Sequence, residues 1–471
     1  MAVLAVLAVL SVLSVVAVSV LSWVLFPPTD PHRPPCIGSR VPCLGAALSF
    51  GRAPLDFIQR ARAEHGPIFT VLLLGKRFTF VTEDEGAEVF FTSKDLNFEQ
   101  AIQRVVEKAV SVPAEAFYEN HGKLYSMMKG KMNPSSLCAF TGTLCKELHE
   151  HMAQLGTAGM GDLMELVRHI MYPAVVNTLF GKGTCPTSQS ELREFEEHFW
   201  KYDEDFEYAS QMPECFLRNW SKSKKWLLKL FEKVVSDADR TNPSETTSKT
   251  LLQHLLDNLQ GKHLAPNYGL LLLWASQANA VPIAFWTLVF ILSSPSVYKK
   301  VMEDLTSVFG SSGKDEIEVS EEDLKNLPYI KWCTLEAIRL RPPGAITKKV
   351  IKPIRIQSFT IPAGDMLMLS PYWLHRNPKY FPDPEMFKPF LPTGSLERGK
   401  FREECFLGRL CGIWRREASV SRKMVCYHGD PVVRRAVPVQ IQICAFGCSA
   451  KREPFAFGGD TATPDTIPGP V

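Results

Sequence analysis

The sequence predicts a mainly helical α+β domain with small β-sheets, preceded by a transmembrane helix. Three observations support this fold class. Residues 2–26 are uniformly apolar, and helical periodicity dominates from about residue 138 to residue 236. Strand-like segments occur only before residue 82 and after residue 343. Helices that separate two small strand clusters are typical of one α+β domain, and no convincing domain boundary interrupts the chain.

Composition excludes several classes of protein. The formal charge is only +3 over 471 residues, so nothing indicates nucleic-acid binding. A hydrophobic content of 45% is enough for the core of a globular enzyme. The 12 cysteines form no Cys-x-x-Cys pair and have no histidine partners at zinc spacing. Neither a zinc site nor a disulfide framework is indicated, and we expect reduced thiols in a cytosolic environment.

The N-terminal segment 2–26 lacks charged side chains and ends with Trp23 and Phe26. As a helix it is long enough to cross a membrane. A cleaved signal peptide is the alternative, but the apolar stretch is too long and no basic segment precedes it. Arg33 and Arg40 follow the span, which places the body of the protein on the cytosolic side. Residues 27–52 are rich in proline and predict a stiff hinge.

The body of the chain begins with a helix, two strands and another helix. Apolar spacing predicts a helix over 53–63, and β-branched and aromatic residues predict strands over 67–75 and 78–82. We expect Thr82 to cap the helix that follows, which ends near Phe91. Further helices are predicted over 144–155, 162–180, 192–208 and 220–236.

The segment 268–292 is apolar on almost every side, which is typical of a buried or membrane-spanning helix. The polar run 276–279 favours the buried alternative. Pro282 cannot bond to the carbonyl of Ala278, so a kink is expected there. An interrupted, polar position inside an apolar helix can bind a ligand through backbone groups. The alternative is that Asn279 is a buried side chain that merely stabilises the kink.

Glu336 and Arg339 stand three residues apart in a predicted helix that ends at Pro342 and Pro343. This spacing allows an ion pair on one helix face, although most such pairs lie on solvated surfaces. The segments that follow are more specific. We predict a strand over 354–360, a turn over 361–365, a strand over 366–370, and then a short helix and a proline-rich meander to residue 389.

This order of segments, together with the passage His375-Arg-Asn-Pro, Phe381-Pro-Asp-Pro and Phe387-Lys-Pro, resembles the cytochrome P450 family of haem-thiolate monooxygenases. The resemblance extends from about residue 30 to residue 406 and is strongest to the sterol 7α-hydroxylase branch. It implies a P450 catalytic domain over 53–406 and haem as the cofactor. It also implies an oxysterol substrate, O₂, and NADPH–cytochrome P450 reductase as partner, with the protein anchored by a single span in the endoplasmic reticulum membrane.

The resemblance also implies roles for individual residues. Asn279 and Ala280 occupy the positions of the acid–alcohol pair that most members use to supply protons during oxygen activation. Glu336 and Arg339 are the structural pair of the haem-side core. Lys349, with Lys348 as its rival, lies where a cation usually contacts a haem propionate; ordinary surface lysines are the alternative.

The expected iron-ligand motif, Phe-x-x-Gly-x-x-x-Cys-x-Gly, does not occur in this sequence. Cys411 in Phe406-Leu-Gly-Arg-Leu-Cys-Gly is the nearest candidate ligand, and a free thiol is the alternative. The haem-ligand region is therefore incomplete, and residues 407–471 form a divergent tail that does not look selected for packing. An arginine that normally joins the Glu336–Arg339 pair is also missing; Arg341, Arg398 and Arg402 are possible substitutes.

Three functions remain open from the sequence. The first is a monooxygenase that hydroxylates an oxysterol similar to 24-hydroxycholesterol at its 7α position. The second is a haem-free, inactive relative of such an enzyme. The third is an isomerase like prostacyclin synthase, which also lacks the acid–alcohol pair.

Overall fold

The computed structural model describes residues 30–38, 46–131, 134–155, 160–186, 188–240, 249–310, 319–342 and 344–389. The predicted anchor over 2–26, residues 27–29 and 39–45 of the hinge, and the tail over 407–471 lie outside these residues.

The helices, in chain order, are α1 (Ala47–Arg52), α2 (Pro54–His65), α3 (Asp84–Thr92), α4 (Phe98–Val110), α5 (Ala114–Lys131), α6 (Pro134–Gln154), α7 (Leu163–Phe180), α8 (Gln189–Glu204), α9 (Phe206–Gln211), α10 (Arg218–Arg240), α11 (Leu251–Asn258), α12 (Ala265–Gln277), α13 (Ala280–Leu292), α14 (Pro295–Phe309), α15 (Glu321–Lys325), α16 (Pro328–Leu340) and α17 (Pro371–Leu374). The strands are β1 (Cys36–Ile37), β2 (Ile68–Leu73), β3 (Lys76–Val81), β4 (Leu96–Asn97), β5 (Ile346–Val350), β6 (Ile354–Ile356), β7 (Phe359–Ile361) and β8 (Met366–Leu369).

These elements form two compact units, and the first contains the described residues of 1–101 and 344–374. Its sheet has the strand order β1-β2-β3-β8-β5-β4, and β6 pairs with β7 in a separate hairpin. β2 and β3 pair as predicted, with Phe69 opposite Phe80 and their rings stacked 5.5 Å apart. Both rings are fully buried, and they anchor the apolar core of this unit.

Two predictions for the first unit are wrong in detail. Residues 354–360 are not one strand that pairs with 366–370; they divide at Gln357, whose φ of 53° turns the chain. A turn at glutamine lacks the usual glycine or asparagine signal. Thr82 does not cap α3. Its hydroxyl donates to the carbonyl of Pro67 and accepts from Arg62, and the N-cap position of α3 is Glu83.

The second unit contains the described residues of 102–343 and 375–468 and is almost entirely helical. α10 packs against α8 and α12, while α13 packs against α7 and α16. Large aromatic side chains fill the centre of this unit; those that are fully buried include Phe195, Phe199, Tyr202, Trp220 and Phe231. Proline starts α14 and α16, where its missing N–H has no helical partner to lose.

The apolar segment that was predicted as one buried helix is divided into α12 and α13. It is also the one stretch of the described residues that is long and apolar enough to cross a membrane, by length and composition alone. α13 buries a single face, which carries Val281, Ala284, Thr287 and Ile291. Among the described residues, its remaining side chains are half-buried or exposed, so the expectation of burial on every side is wrong for α13.

The expectation of reduced thiols throughout is also wrong. Cys36, Cys185, Cys215 and Cys333 are free, but Cys145 is disulfide-bonded. Sequence spacing does not predict a single pairing of this kind, since it depends on which Cβ atoms the fold brings close together.

Candidate active site

Glu336 and Arg339 form a buried ion pair in the last turn of α16. The guanidinium makes two hydrogen bonds to the carboxylate, from Nε to Oε2 at 2.8 Å and from Nη2 to Oε1 at 2.9 Å. Both side chains are buried, and a bidentate contact is the strongest geometry for these two groups. The helix ends at Leu340 because Pro342 disfavours helical geometry at Arg341.

Arg339 also binds the main chain of the meander. Its Nη1 donates to the carbonyls of His375 at 2.9 Å and Pro384 at 2.6 Å, and its Nη2 donates to Met386 at 3.0 Å. The guanidinium carbon lies 4.8 Å from the centre of the Phe381 ring. A buried charge is tolerated only when its hydrogen-bonding groups are satisfied, so Arg339 fastens residues 375–386 to α16.

The third partner of the pair is a backbone group. The N–H of Lys388 donates to Oε1 of Glu336 at 3.0 Å, in the place where an arginine was sought. Of the possible substitutes, Arg341 lies against an aromatic ring of α13. Arg398 and Arg402 lie outside the described residues.

His375 and Arg376 belong to the passage that carried the resemblance, but no role was predicted for either. Arg376 donates to Glu385 and to the carbonyl of Leu340, which closes the end of α16. Burial, with the positive charges of Arg339 and Arg376 beside it, lowers the pKa of His375 to about 3. His375 is therefore a neutral part of this core and does not transfer protons at neutral pH.

The break between α12 and α13 lies at Ala278 and Asn279. Pro282 has no N–H to offer the carbonyl of Ala278, and α12 ends at Gln277. The N–H of Ile283 still bonds to the carbonyl of Asn279 at 3.2 Å, which starts the next helix. Ala278 and Asn279 keep right-handed helical dihedral angles, so the helical hydrogen bonding is interrupted only locally and the kink expected at Pro282 stays a prediction.

Gln277 is the buried polar residue next to this break. Its Nε2 donates to the carbonyl of Tyr172 on α7 at 3.1 Å. Its Oε1 is buried and has no hydrogen-bond partner within the described residues. Ala278, Asn279 and Ala280, in contrast, are half-buried. The break therefore combines small side chains, one amide and partial exposure in an otherwise apolar helix.

Two ring contacts connect α13 to the Glu336–Arg339 core. The guanidinium of Arg341 lies 4.6 Å from the centre of a Trp286 ring. The rings of Phe290 and Phe387 stack with their centres 4.8 Å apart and 12° between their planes. Contacts of these kinds each contribute about 0.5–1.5 kcal/mol. They hold the broken helix against α16 and the meander.

Lys348 and Lys349 belong to β5 in the other unit, and the strand points them to opposite faces. Lys348 is buried; its ammonium donates to the carbonyl of Phe90 at 3.0 Å and lies 4.8 Å from the Phe90 ring. Lys349 is half-buried, opposite Met366 on β8 and Asn97 on β4. Lys348 is thus engaged inside its own unit, whereas Lys349 is the more accessible of the two cations.

The described residues around the break fit a flat, apolar cofactor such as haem. Half-buried positions 278–280 bear no side chain larger than that of Asn279, so a macrocycle can approach the helix there. Within the described residues no three or more His, Cys, Asp and Glu side chains are grouped to hold a metal ion. In haem, the porphyrin nitrogens bind the iron, so the protein has to supply only one further ligand. Cys411, the candidate ligand, lies outside the described residues.

Comparisons with known proteins agree with this geometry. The family model described as Cytochrome P450 matches residues 34–397. Human 24-hydroxycholesterol 7-alpha-hydroxylase is 54% identical over 379 residues, which is 80% of this chain and 81% of that protein. The mouse protein of the same name is 52% identical over 358 residues, or 76% of each.

Among solved structures, the retinoic acid-bound cyanobacterial protein CYP120A1 superposes with a TM-score of 0.67. It covers 89% of this chain and 92% of its own, at 19% sequence identity. At that identity the likeness concerns the fold alone, which is mostly helical with small sheets.

Proposed function

The chain belongs to the cytochrome P450 family, and we propose that it is a monooxygenase that hydroxylates an oxysterol at the 7α position. The observation that carries this proposal is the 54% identity over 80% of the chain to a 24-hydroxycholesterol 7-alpha-hydroxylase. At that level of identity, we expect the sterol class to be shared. The substrate that we propose is 24-hydroxycholesterol or a sterol with the same side-chain hydroxyl group.

Haem, when bound, supplies the activation of O₂, and the chain's residues orient the reactants around it. Glu336 and Arg339 join α16 to the meander, and the ring contacts of Trp286 and Phe290 join both to α13. In this proposal they are positioning residues. Cys411 would supply the thiolate that binds the haem iron.

Asn279 and Ala280 are the proposed oxygen-site residues. An amide does not titrate, so Asn279 cannot donate a proton of its own in the way that a carboxylic acid does. We propose that its side chain, with the carbonyl that Pro282 leaves without a helical N–H, orders the water through which protons arrive. Ala280 leaves room at this point of the helix because it carries only a methyl group.

Of the two lysines, we propose Lys349 as the contact for a haem propionate. Lys348 already donates to the carbonyl of Phe90 and is buried, so its ammonium would have to give up that bond. The half-buried ammonium of Lys349 needs no such exchange.

The membrane and partner assignments follow the same resemblance. We propose a single N-terminal span in the endoplasmic reticulum membrane, a cytosolic catalytic domain and electron supply by NADPH–cytochrome P450 reductase. The similarity to two hydroxylases gives no support to the alternative of an inactive, haem-free protein. It also favours hydroxylation over isomerisation of the prostacyclin-synthase kind.

The test is a reduced, carbon monoxide-bound difference spectrum of the full chain in membranes, followed by turnover of 24-hydroxycholesterol with the reductase. We expect a thiolate-type Soret band and a 7α-hydroxylated product by mass spectrometry. Both should disappear in Cys411→Ser and persist in the exposed-thiol control Cys215→Ser. A wild-type chain that contains no haem and forms no product would refute the proposed function.

A further inference from the structure

The last turn before the helix break is held by Trp274 of α12. Its backbone carbonyl accepts the N–H of Ala278 at 2.9 Å, the final hydrogen bond before Asn279. Its indole Nε1 donates to Oδ1 of Asp203 at 2.9 Å. Its ring stacks on Phe206, with centres 3.8 Å apart and 13° between the planes. One side chain thus joins the break to the junction of α8 and α9.

Asp203 occupies an unfavourable place for a carboxylate. It lies in the last turn of α8, where the helix dipole is negative, and Glu207 of α9 adds a second negative charge. Burial is the main cause that raises its pKa to about 6; the Trp274 hydrogen bond and Arg168 of α7 oppose this rise. An asparagine could accept the same hydrogen bond without these costs. A carboxyl group whose pKa is perturbed by burial and by a neighbouring charge is a candidate functional group.

We propose that Asp203, Phe206 and Trp274 form a positioning cluster that holds the α12–α13 break against the end of α8. The cluster loosens when Asp203 ionises. Only the purpose of the cluster rests on the proposed function. Under that function, the cluster couples α8 to the helix that carries the proposed oxygen-site residues. The cluster itself is a property of the contacts and does not depend on catalysis.

The direction of the pH effect follows from linkage. The closed cluster binds the Asp203 proton more tightly than an open, hydrated carboxyl group with the ordinary pKa of 3.8. Protonation therefore favours the closed cluster, and closure weakens as pH rises through about 6. The groups that face this carboxyl are Trp274 on α12, Arg168 and Tyr172 on α7, and Glu207 on α9. Tyr172 stays neutral in this range because burial raises its pKa above the ordinary value of 10.0.

The test is hydrogen exchange of the full chain, read by mass spectrometry on peptides that contain residues 274–285 at pH values from 5 to 7.5. After correction for intrinsic exchange rates, we expect protection in the wild type to fall by about tenfold between pH 5 and pH 6 and to level off above that. Over the whole window from the ordinary pKa of 3.8 to about 6, the fall should reach about a hundredfold. Peptides from α14 should show no such trend.

Variants separate positioning from simple packing. Asp203→Asn should abolish the pH dependence, whereas the neighbouring Asp205→Asn should keep it. Trp274→Phe keeps the aromatic ring but removes the N–H donor, so the midpoint should move to higher pH. A pH dependence that survives in Asp203→Asn, or a Trp274→Phe midpoint that does not move, would overturn the proposal. Neither result depends on sterol turnover. The proposal for the cluster can therefore be refuted while the proposed function stands, and the proposed function can be refuted while the cluster stands.

Discussion

Lys388 donates its backbone N–H to Oε1 of Glu336 at 3.0 Å, although the two residues are 52 positions apart. Within the described residues, Glu336 therefore has one side-chain partner, Arg339, and one main-chain partner. In this part of the chain a backbone N–H donates to the carboxylate at the point where an additional arginine was expected.

Loss of one member of this pair should destabilise the protein strongly. We expect Glu336→Gln and Arg339→Lys each to lower the free energy of unfolding by about 3–5 kcal/mol, because each leaves buried polar groups without partners. Urea denaturation followed by circular dichroism measures the change. The control is Lys300→Ala, which removes a partly exposed ion pair to Asp304 and should leave the midpoint nearly unchanged. Equal effects of core and control variants would contradict this account.

Asn279→Ala should uncouple oxygen use from product formation. The variant keeps the break, since Pro282 is unchanged, but it removes the amide that we propose orders water. We expect sterol binding to persist while a larger share of the NADPH consumed yields peroxide. The ratio of product to NADPH, measured with the reductase, checks this. A ratio equal to that of the wild type would exclude Asn279 from proton delivery.

The two lysines of β5 should behave differently. Lys349→Met should lower the haem content per folded molecule, because it removes the proposed propionate contact. Lys348→Met should reduce stability through the lost bond to Phe90 and leave the haem content of the folded fraction unchanged. The ratio of Soret to protein absorbance after size exclusion separates the two outcomes. The opposite pattern would assign the propionate to Lys348.

Asp203 should make the protein less stable at neutral pH than at lower pH. Its folded-state pKa of about 6 is above the ordinary 3.8, so its contribution to stability is fully present below pH 3.8 and is lost as pH rises through about 6. Asp203→Asn should therefore raise the free energy of unfolding at pH 7.5 by at most about 3 kcal/mol. The gain should shrink at pH 5. Urea titrations at both pH values measure it, and a pH-independent gain would be inconsistent with a raised pKa.

Local patterns in the sequence predict much of the fold. The helix periodicity of α7, the β2–β3 hairpin and the interruption at Pro282 all depend on residues close together in the chain. The spacing of Glu336 and Arg339 likewise allows their ion pair. The boundaries of β6 and β7 were missed, since a glutamine at positive φ gives no recognisable turn signal.

The remaining features depend on contacts between distant parts of the chain. Nothing in the sequence indicates that Trp274 bonds to Asp203, 71 positions away. The same is true of the three carbonyls that bind Arg339. The difference between Lys348 and Lys349 depends on which strand face the fold buries, and two adjacent lysines do not reveal it.

The carbonyls that satisfy Arg339 have a consequence for synthesis on the ribosome. Residues 375–386 are translated after α16 is complete, so a nascent chain that ends before them cannot provide these acceptors. Until they emerge, the guanidinium must stay hydrated, because burial without partners is too costly. The end of α16 can therefore be buried only after the meander has been translated. In a nascent chain that stalls before this point, the end of α16 stays exposed to solvent and to chaperones.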